Sequence, residues 1–77
     1  MRIYLGGHLN FYHPQKETWL EVKLLQPTPL KDVLEASGIP LGEVYLVVIE
    51  GELVDMQETI VSDQSEVKLF PPVGGGC

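Results

Sequence analysis

The chain has 77 residues, enough for one folded domain and too few for a second. It is 44% hydrophobic and 21% charged, as ordinary globular proteins are, which excludes intrinsic disorder. A net charge of −6 argues against direct binding to nucleic acid and suits association with a basic protein surface. The single cysteine excludes an internal disulfide, and no segment has the pattern of a signal peptide or the length of a membrane span. We expect a cytoplasmic protein that binds neither nucleic acid nor membranes.

Two alternating segments near the start of the chain predict a pair of strands. Residues 2–5 alternate between apolar and polar side chains, which places Tyr4 on the face opposite the core. Residues 18–24 alternate in the same way and place Trp19 on that face. The two segments predict a hairpin joined by the connection over residues 8–17, whose length leaves the register open. The alternative is that Leu9, Phe11 and Tyr12 continue the first strand.

A short helix is predicted from Pro29 onward. Thr28 is the expected N-cap, and Pro29 suits the first helical position because its missing N–H would have no partner there. The apolar residues that follow recur at helical spacing along one stripe. Gly38 fits the left-handed position that ends a helix, and Pro40 prevents its continuation.

Three further strands are predicted in the second half. The apolar run Val44–Ile49 predicts an interior strand covered on both faces. Residues 50–52 form a turn into a short strand at residues 53–54, and residues 62–65 form a second turn. Residues 66–70 alternate and predict the last strand.

This order of elements predicts an α+β fold of two layers, with one main helix on one face of a mixed sheet of four to five strands. One helix cannot cover both faces of the sheet. The outward aromatic residues Tyr4, Trp19 and Phe70 therefore predict a protein-binding surface. The alternative is that the connection over residues 8–17 folds over them.

The end of the chain has a composition unlike the rest. Residues 1–73 form the predicted domain, and Gly74-Gly75-Gly76-Cys77 forms a predicted mobile tail, since glycine adds nothing to a core and orders at a high entropic cost. Pro71-Pro72 is expected to hold the chain extended in front of this tail. Three residues without side chains can enter a channel too narrow for any other residue, so the tail predicts a reactive arm that other proteins bind.

The ending LFPPVGGGC after this order of elements resembles the molybdopterin synthase small subunit and the wider family of ubiquitin-like sulfur carriers. The segment Ile49–Val54 is similar to that family's turn, v-N-G-e-l-v. The resemblance implies a ubiquitin-like β-grasp, in which the first and last strands are parallel neighbours at the centre of the sheet. Phe70-Pro71-Pro72-Val73 resembles the molybdopterin-type branch more than the thiamine-type branch.

The resemblance implies a protein cosubstrate rather than an enzyme. In the family, a ubiquitin-activating-type enzyme uses ATP to adenylate the terminal glycine, and the adenylate becomes a thiocarboxylate that gives its sulfur to a synthase or its large subunit. The implied reactive residue here is Gly76, with no cofactor or metal bound by the chain itself. The implied partner contacts are Tyr4, Trp19, Phe70, Pro71, Pro72, Val73, Gly74 and Gly75. The alternative is a ubiquitin-like modifier, or an interaction module, that is conjugated through its C-terminal glycine.

Cys77 departs from the family pattern because it holds the Gly76 carboxylate in a peptide bond. Three hypotheses stay open. A zinc-dependent JAMM-type protease removes Cys77, as happens to short extensions in some family members. Cys77 is a peculiarity of the chain end. Or the thiol of Cys77 itself takes part in the chemistry, although no basic neighbour in the sequence lowers its pKa.

The remaining candidate residues predict no further site. His8, His13 and Cys77 do not have the spacing of metal ligands, and the carboxylates are scattered without a pair suited to acid–base catalysis. The final sulfur acceptor is not specified by any motif: molybdopterin, tungstopterin, a tRNA base, thiamine and an amino acid all stay open.

Overall fold

A computed structural model describes residues 1–72 of the chain. Val73 and the predicted tail over residues 74–77 lie outside the described residues. The described part contains one α-helix, α1 (Leu30–Ala36), and seven short strands. The strands are β1 (Arg2–Leu5), β2 (Trp19–Glu21), β3 (Thr28–Pro29), β4 (Leu46–Ile49), β5 (Glu52–Leu53), β6 (Ile60–Val61) and β7 (Glu66–Phe70). Three 3-10 helices connect them, at Gly7–Tyr12, Leu41–Glu43 and Met56–Glu58.

Five strands form a mixed sheet in the order β2-β1-β7-β4-β5. The pairs β1–β2, β4–β7 and β4–β5 are antiparallel, whereas β1 and β7 are parallel. The first strand and the last therefore lie side by side at the centre of the sheet, which is the arrangement of a ubiquitin-like β-grasp. The α+β fold predicted from the order of elements and the β-grasp implied by the family resemblance are both confirmed. Strands β3 and β6 form a separate antiparallel pair beside the helix.

The core lies between α1 and one face of the sheet. Alternation along the two central strands buries Ile3 and Leu5 of β1 and Val67 and Leu69 of β7. The helix contributes its predicted apolar stripe. The other buried hydrophobic residues are Met1, Leu9, Leu30, Val33, Leu34, Ile39, Val47 and Val61.

The C-terminal end of α1 has the predicted glycine stop. Gly38 has a φ of +83°, its N–H donates to the Glu35 carbonyl at 3.1 Å, and the Ile39 N–H donates to the Leu34 carbonyl at 2.9 Å. These two bonds define a Schellman motif, which supplies donors for the last carbonyls of the helix.

The predicted N-cap at Thr28 is wrong. Thr28 and Pro29 belong to β3, and Pro29 occupies the cap position with no side-chain hydrogen bond. The Thr28 hydroxyl donates to the Gln26 carbonyl at 2.9 Å instead. The first helical N–H, of Leu30, donates to the Thr59 carbonyl at 2.9 Å. Backbone from a distant part of the chain thus replaces the local cap.

Two other expectations are corrected. In the connection over residues 8–17, Leu9, Phe11 and Tyr12 do not continue the first strand, because they lie in the 3-10 helix Gly7–Tyr12, which buries Leu9 completely. Strand β4 is not covered on both faces, because Val47 is buried but Leu46 is 39% exposed. One helix packs on one face of the sheet, and on the other face the Leu46 side chain of β4 stays exposed while Val48 is partly buried. No helix in residues 1–72 is long and apolar enough to cross a membrane.

Candidate functional site

Three aromatic side chains lie together on the sheet face opposite α1. Tyr4 and Trp19 are paired across β1 and β2, and their ring centroids are 5.3 Å apart in an edge-to-face arrangement. The Phe70 ring lies 5.9 Å from Tyr4 on the other side. All three side chains stay partly exposed. The outward positions predicted by alternation are therefore observed, and the side chains form one continuous cluster.

Arg2 holds the edge of this cluster in place. Its guanidinium carbon lies 4.2 Å from the centroid of the Trp19 ring, a cation–π distance. Arg2 also pairs with Glu66 at 3.0 Å and with Glu21 at 3.5 Å. Exposed ion pairs of this kind contribute little to stability. Together they hold the guanidinium over the indole ring.

Strands β4 and β5 extend the apolar surface beyond the aromatic cluster. Leu46 is the cross-strand partner of Phe70, and Val48 is the partner of both Lys68 and Leu53, so all five share one face. Leu53 is 68% exposed. We call the apolar set the outer-face patch: Tyr4, Trp19, Leu46, Val48, Leu53 and Phe70. The aliphatic members were not identified individually from sequence, because the unbroken apolar run that contains Leu46 and Val48 does not separate the two faces and the strand that contains Leu53 is only two residues long.

The outer-face patch leads directly to the point where the chain leaves the sheet. The last two carbonyls of β7 are both bonded: that of Leu69 accepts the Gly6 N–H at 2.9 Å, and that of Phe70 accepts the Tyr45 N–H at 2.8 Å. The end of β7 is therefore held from both neighbouring strands.

The two prolines after β7 have different environments. Pro71 is buried and packs against Gly7, whereas Pro72 is exposed. The Pro71 ring thus belongs to the packing of the domain, and Pro72 is the first residue of the ending that is fully accessible. The other residues predicted to contact partners or react, Val73, Gly74, Gly75, Gly76 and Cys77, lie outside the described residues.

The titratable residues of the described part serve local structure. His8 Nε2 lies 2.6 Å from Glu43 Oε1, and the buried His13 accepts the Gln15 N–H at Nδ1 at 2.9 Å. The Leu24 N–H, which donates to Asp63, lowers the pKa of that carboxyl below its ordinary value. Within residues 1–72, no three His, Cys, Asp or Glu side chains form a group that could hold a metal ion.

Most of the chain matches one known family. The match covers residues 10–76 and is to the ThiS family. The chain belongs to the ThiS family. Members of the ThiS family are small β-grasp proteins that act as carriers rather than catalysts, so membership indicates a sulfur carrier role. A comparison with curated proteins found no match.

The ThiS match covers most of the fold and most of the site. It includes β2 through β7 and continues through Gly76, and it ends before Cys77. Two of the three cluster aromatics, Trp19 and Phe70, lie inside it, whereas Tyr4 precedes it.

Proposed function

We propose that this ThiS-family protein carries sulfur as a thiocarboxylate on Gly76. The observation that carries the proposal is the family match that runs through Gly76, combined with a central strand whose end is held by hydrogen bonds from both sides. Such a strand gives the terminal residues a fixed starting point beside an accessible apolar surface. The domain supplies position and recognition, and partner enzymes supply the catalytic groups.

The proposed chemistry has two steps. A Gly76 carboxylate oxygen attacks the α-phosphorus of ATP on a ubiquitin-activating-type enzyme, which forms an acyl-adenylate and releases pyrophosphate. A sulfide-equivalent nucleophile then attacks the acyl carbon, AMP leaves with the bonding electron pair, and a thiocarboxylate remains. A free carboxylate is a poor electrophile, so the first step is needed before sulfur can add. Glycine leaves the acyl carbon unhindered for both attacks.

The outer-face patch is the proposed docking surface for the activating enzyme and for the sulfur-accepting synthase. It combines a tryptophan, a tyrosine and a phenylalanine in contact, with an arginine fixed at its edge. Aromatic residues and arginine are the types that most often dominate the binding energy of protein interfaces. The patch also adjoins the end of β7, so a partner bound there lies next to the emerging terminus.

For the sulfur acceptor, we propose the molybdopterin pathway, on the basis of Phe70-Pro71-Pro72-Val73. A molybdopterin synthase large subunit should bind the thiocarboxylated chain and convert the pterin precursor with it. Transfer only to a thiazole-forming or tRNA-modifying enzyme would refute the assignment of pathway and leave the carrier role standing.

We further propose that Cys77 is removed, by a JAMM-type protease, before the first step. Three proteins test this: the full-length chain, the chain ending at Gly76, and full-length Cys77→Ser. Incubated with ATP and the cognate activating enzyme, only the chain ending at Gly76 should support pyrophosphate exchange by that enzyme, because only there is the carboxylate free. Before treatment the Ser variant should be inactive, because it keeps the peptide bond that blocks Gly76. After the protease has removed residue 77, the variant should be active, because it lacks only the sulfur.

Other outcomes separate the alternatives. Activity of the untreated full-length chain that is lost in Cys77→Ser would point to chemistry at the thiol and refute processing. Mass spectrometry of the activated chain should show sulfur in place of oxygen at its end. Conjugates linked to lysine, without that exchange, would indicate a ubiquitin-like modifier instead.

A further inference from the structure

Gly6 and Gly7 make unusually close contact with the end of β7. A Cβ on Gly6 would lie 2.8 Å from the Leu69 carbonyl oxygen and 2.9 Å from the Phe70 ring. A Cβ on Gly7 would lie 2.7 Å from Cγ of Pro71, and Gly7 also has a φ of +54°. Both positions therefore require glycine, and together they form a surface on which the end of the strand rests. We call these two residues the glycine cradle.

The cradle cannot easily move away from the strand. The 3-10 helix that begins at Gly7 is fixed by Leu9, which is completely buried, and by the contact of His8 with Glu43 at 2.6 Å. On the other side, the two hydrogen bonds to the last carbonyls of β7 hold the strand. An atom added at Gly7 must therefore displace the Pro71 ring, and with it the chain that follows.

Gly7 differs in this respect from the other glycines with positive φ. Gly38 and Gly51 have φ values of +83° and +82°, and a Cβ at either would meet nothing within 4 Å. At these two positions the local turn alone explains why the residue is glycine. Only Gly7 among these three combines the left-handed conformation with contact to the segment that leads to the terminus.

We propose that the glycine cradle sets the direction in which the chain leaves β7, and so directs the tail towards an enzyme docked on the outer-face patch. The expected effect on activation rests on the proposed carrier function, whereas the contact between the cradle and the end of β7 does not. Gly6 and Gly7 act through Pro71 and are positioning residues. A tail that starts in the wrong direction brings Gly76 into the active site of a docked enzyme less often, which lowers the rate even when binding is unchanged. The cradle should therefore affect the chemical step rather than docking on the outer-face patch.

The geometric part is tested with a nitroxide attached to the thiol of Cys77 in the full-length chain. Its paramagnetic broadening of backbone amides reports where the terminus lies relative to the domain. Gly7→Ala should redistribute the broadening, whereas Gly38→Ala, which adds a Cβ at a similar φ with no contact, should reproduce the wild-type pattern. Identical patterns for Gly7→Ala and wild type would overturn the proposal.

A second variant covers the case in which Gly7→Ala folds poorly. Pro71→Ala removes the Cγ and Cδ atoms that the new Cβ would strike, and adds nothing near Gly7. It should alter the broadening pattern by itself, and the double variant Gly7→Ala/Pro71→Ala should match it. Independent, additive effects of the two changes would contradict a direct contact as the cause.

The functional part uses the same variants ending at Gly76, with ATP and the activating enzyme. Gly7→Ala should lower the maximal rate of pyrophosphate exchange, with KM for the carrier unchanged. A raised KM at an unchanged maximal rate would refute the positioning role. If the wild-type chain ending at Gly76 is not activated at all, the proposed function fails, and the broadening experiment still decides the geometry.

Discussion

Substitution of Trp19 gives the sharpest test of whether the outer-face patch binds a partner. Its indole touches Tyr4 on one side and Arg2 on the other, yet stays partly exposed on the face opposite α1. Trp19→Ala should weaken binding of the activating enzyme by about 2 kcal/mol, because a preorganised aromatic surface is lost from the patch. Titration calorimetry with the purified enzyme measures the effect, and circular dichroism checks that the fold is retained.

Leu25→Ala is the matched control for Trp19. Leu25 is 92% exposed and lies outside the outer-face patch, so removing it changes exposed apolar area without touching the proposed interface. It should bind the activating enzyme as the wild type does. Equal weakening by the two variants would mean that the partner does not recognise this patch.

Among the elements, the stop of α1 depends on one glycine. Gly38 has a φ of +83° and open space around it, so Gly38→Ala introduces strain from backbone conformation alone. The free energy of unfolding should fall by about 1–2 kcal/mol, the cost of a left-handed residue with a Cβ. Gly42→Ala also meets open space, without a positive φ, and should change stability little. Urea denaturation of both variants gives the comparison, and equal losses would show that strain at Gly38 is not the cause.

In the turn between β4 and β5, Glu50 has a left-handed backbone conformation that glutamate rarely adopts. Glu50 and Gly51 both have positive φ, at 54° and 82°, as in the type I′ turn of a two-residue hairpin loop. Asparagine visits this conformation more readily than glutamate. Glu50→Asn should therefore raise the free energy of unfolding by up to about 1 kcal/mol. Glu52→Gln is the control, since it removes a neighbouring charge without changing the turn, and an equal gain there would assign the effect to charge.

The elements that follow from local pattern were predicted, and those that depend on distant pairing were not. Strands β1 and β7 could be predicted from alternation, and the end of α1 from Gly38. Alternation and the backbone preference of glycine are both visible within a few residues of sequence. The failed N-cap at Thr28 has a non-local reason: β3 exists only because β6, some thirty positions later, pairs with it. No window of local sequence contains both strands.

The same distinction applies to the candidate site. The outward positions of Tyr4, Trp19 and Phe70 follow from period-two alternation. Which side chains of β4 lie on that face could not be predicted, because an unbroken apolar run carries no alternation that separates the two faces. The contact between Gly7 and Pro71 also lay beyond the sequence pattern, since it joins residues at opposite ends of the domain.

For the whole molecule, the net charge of −6 predicts how association depends on salt. The outer-face patch itself is mostly apolar, with Arg2 neutralised by its carboxylate neighbours, so the long-range field comes from the rest of the surface. The rate of association with the activating enzyme should fall as ionic strength rises, because screening weakens steering toward a basic surface. The dissociation rate should change less. Stopped-flow fluorescence of Trp19 measures both rates, and an association rate that rises with salt would mean that the partner surface is acidic.

The parallel pairing of β1 with β7 also has a consequence for how the protein is made. The central pair of the sheet joins Arg2–Leu5 to Glu66–Phe70, far later in the chain, so the core cannot close until β7 has emerged from the ribosome. Native contacts this far apart in sequence also form slowly, because a long loop must close first. A nascent chain truncated before β7 should stay unfolded and sensitive to proteases. Biosynthesis would then release a folded domain only when the strand that leads to Gly76 has been completed.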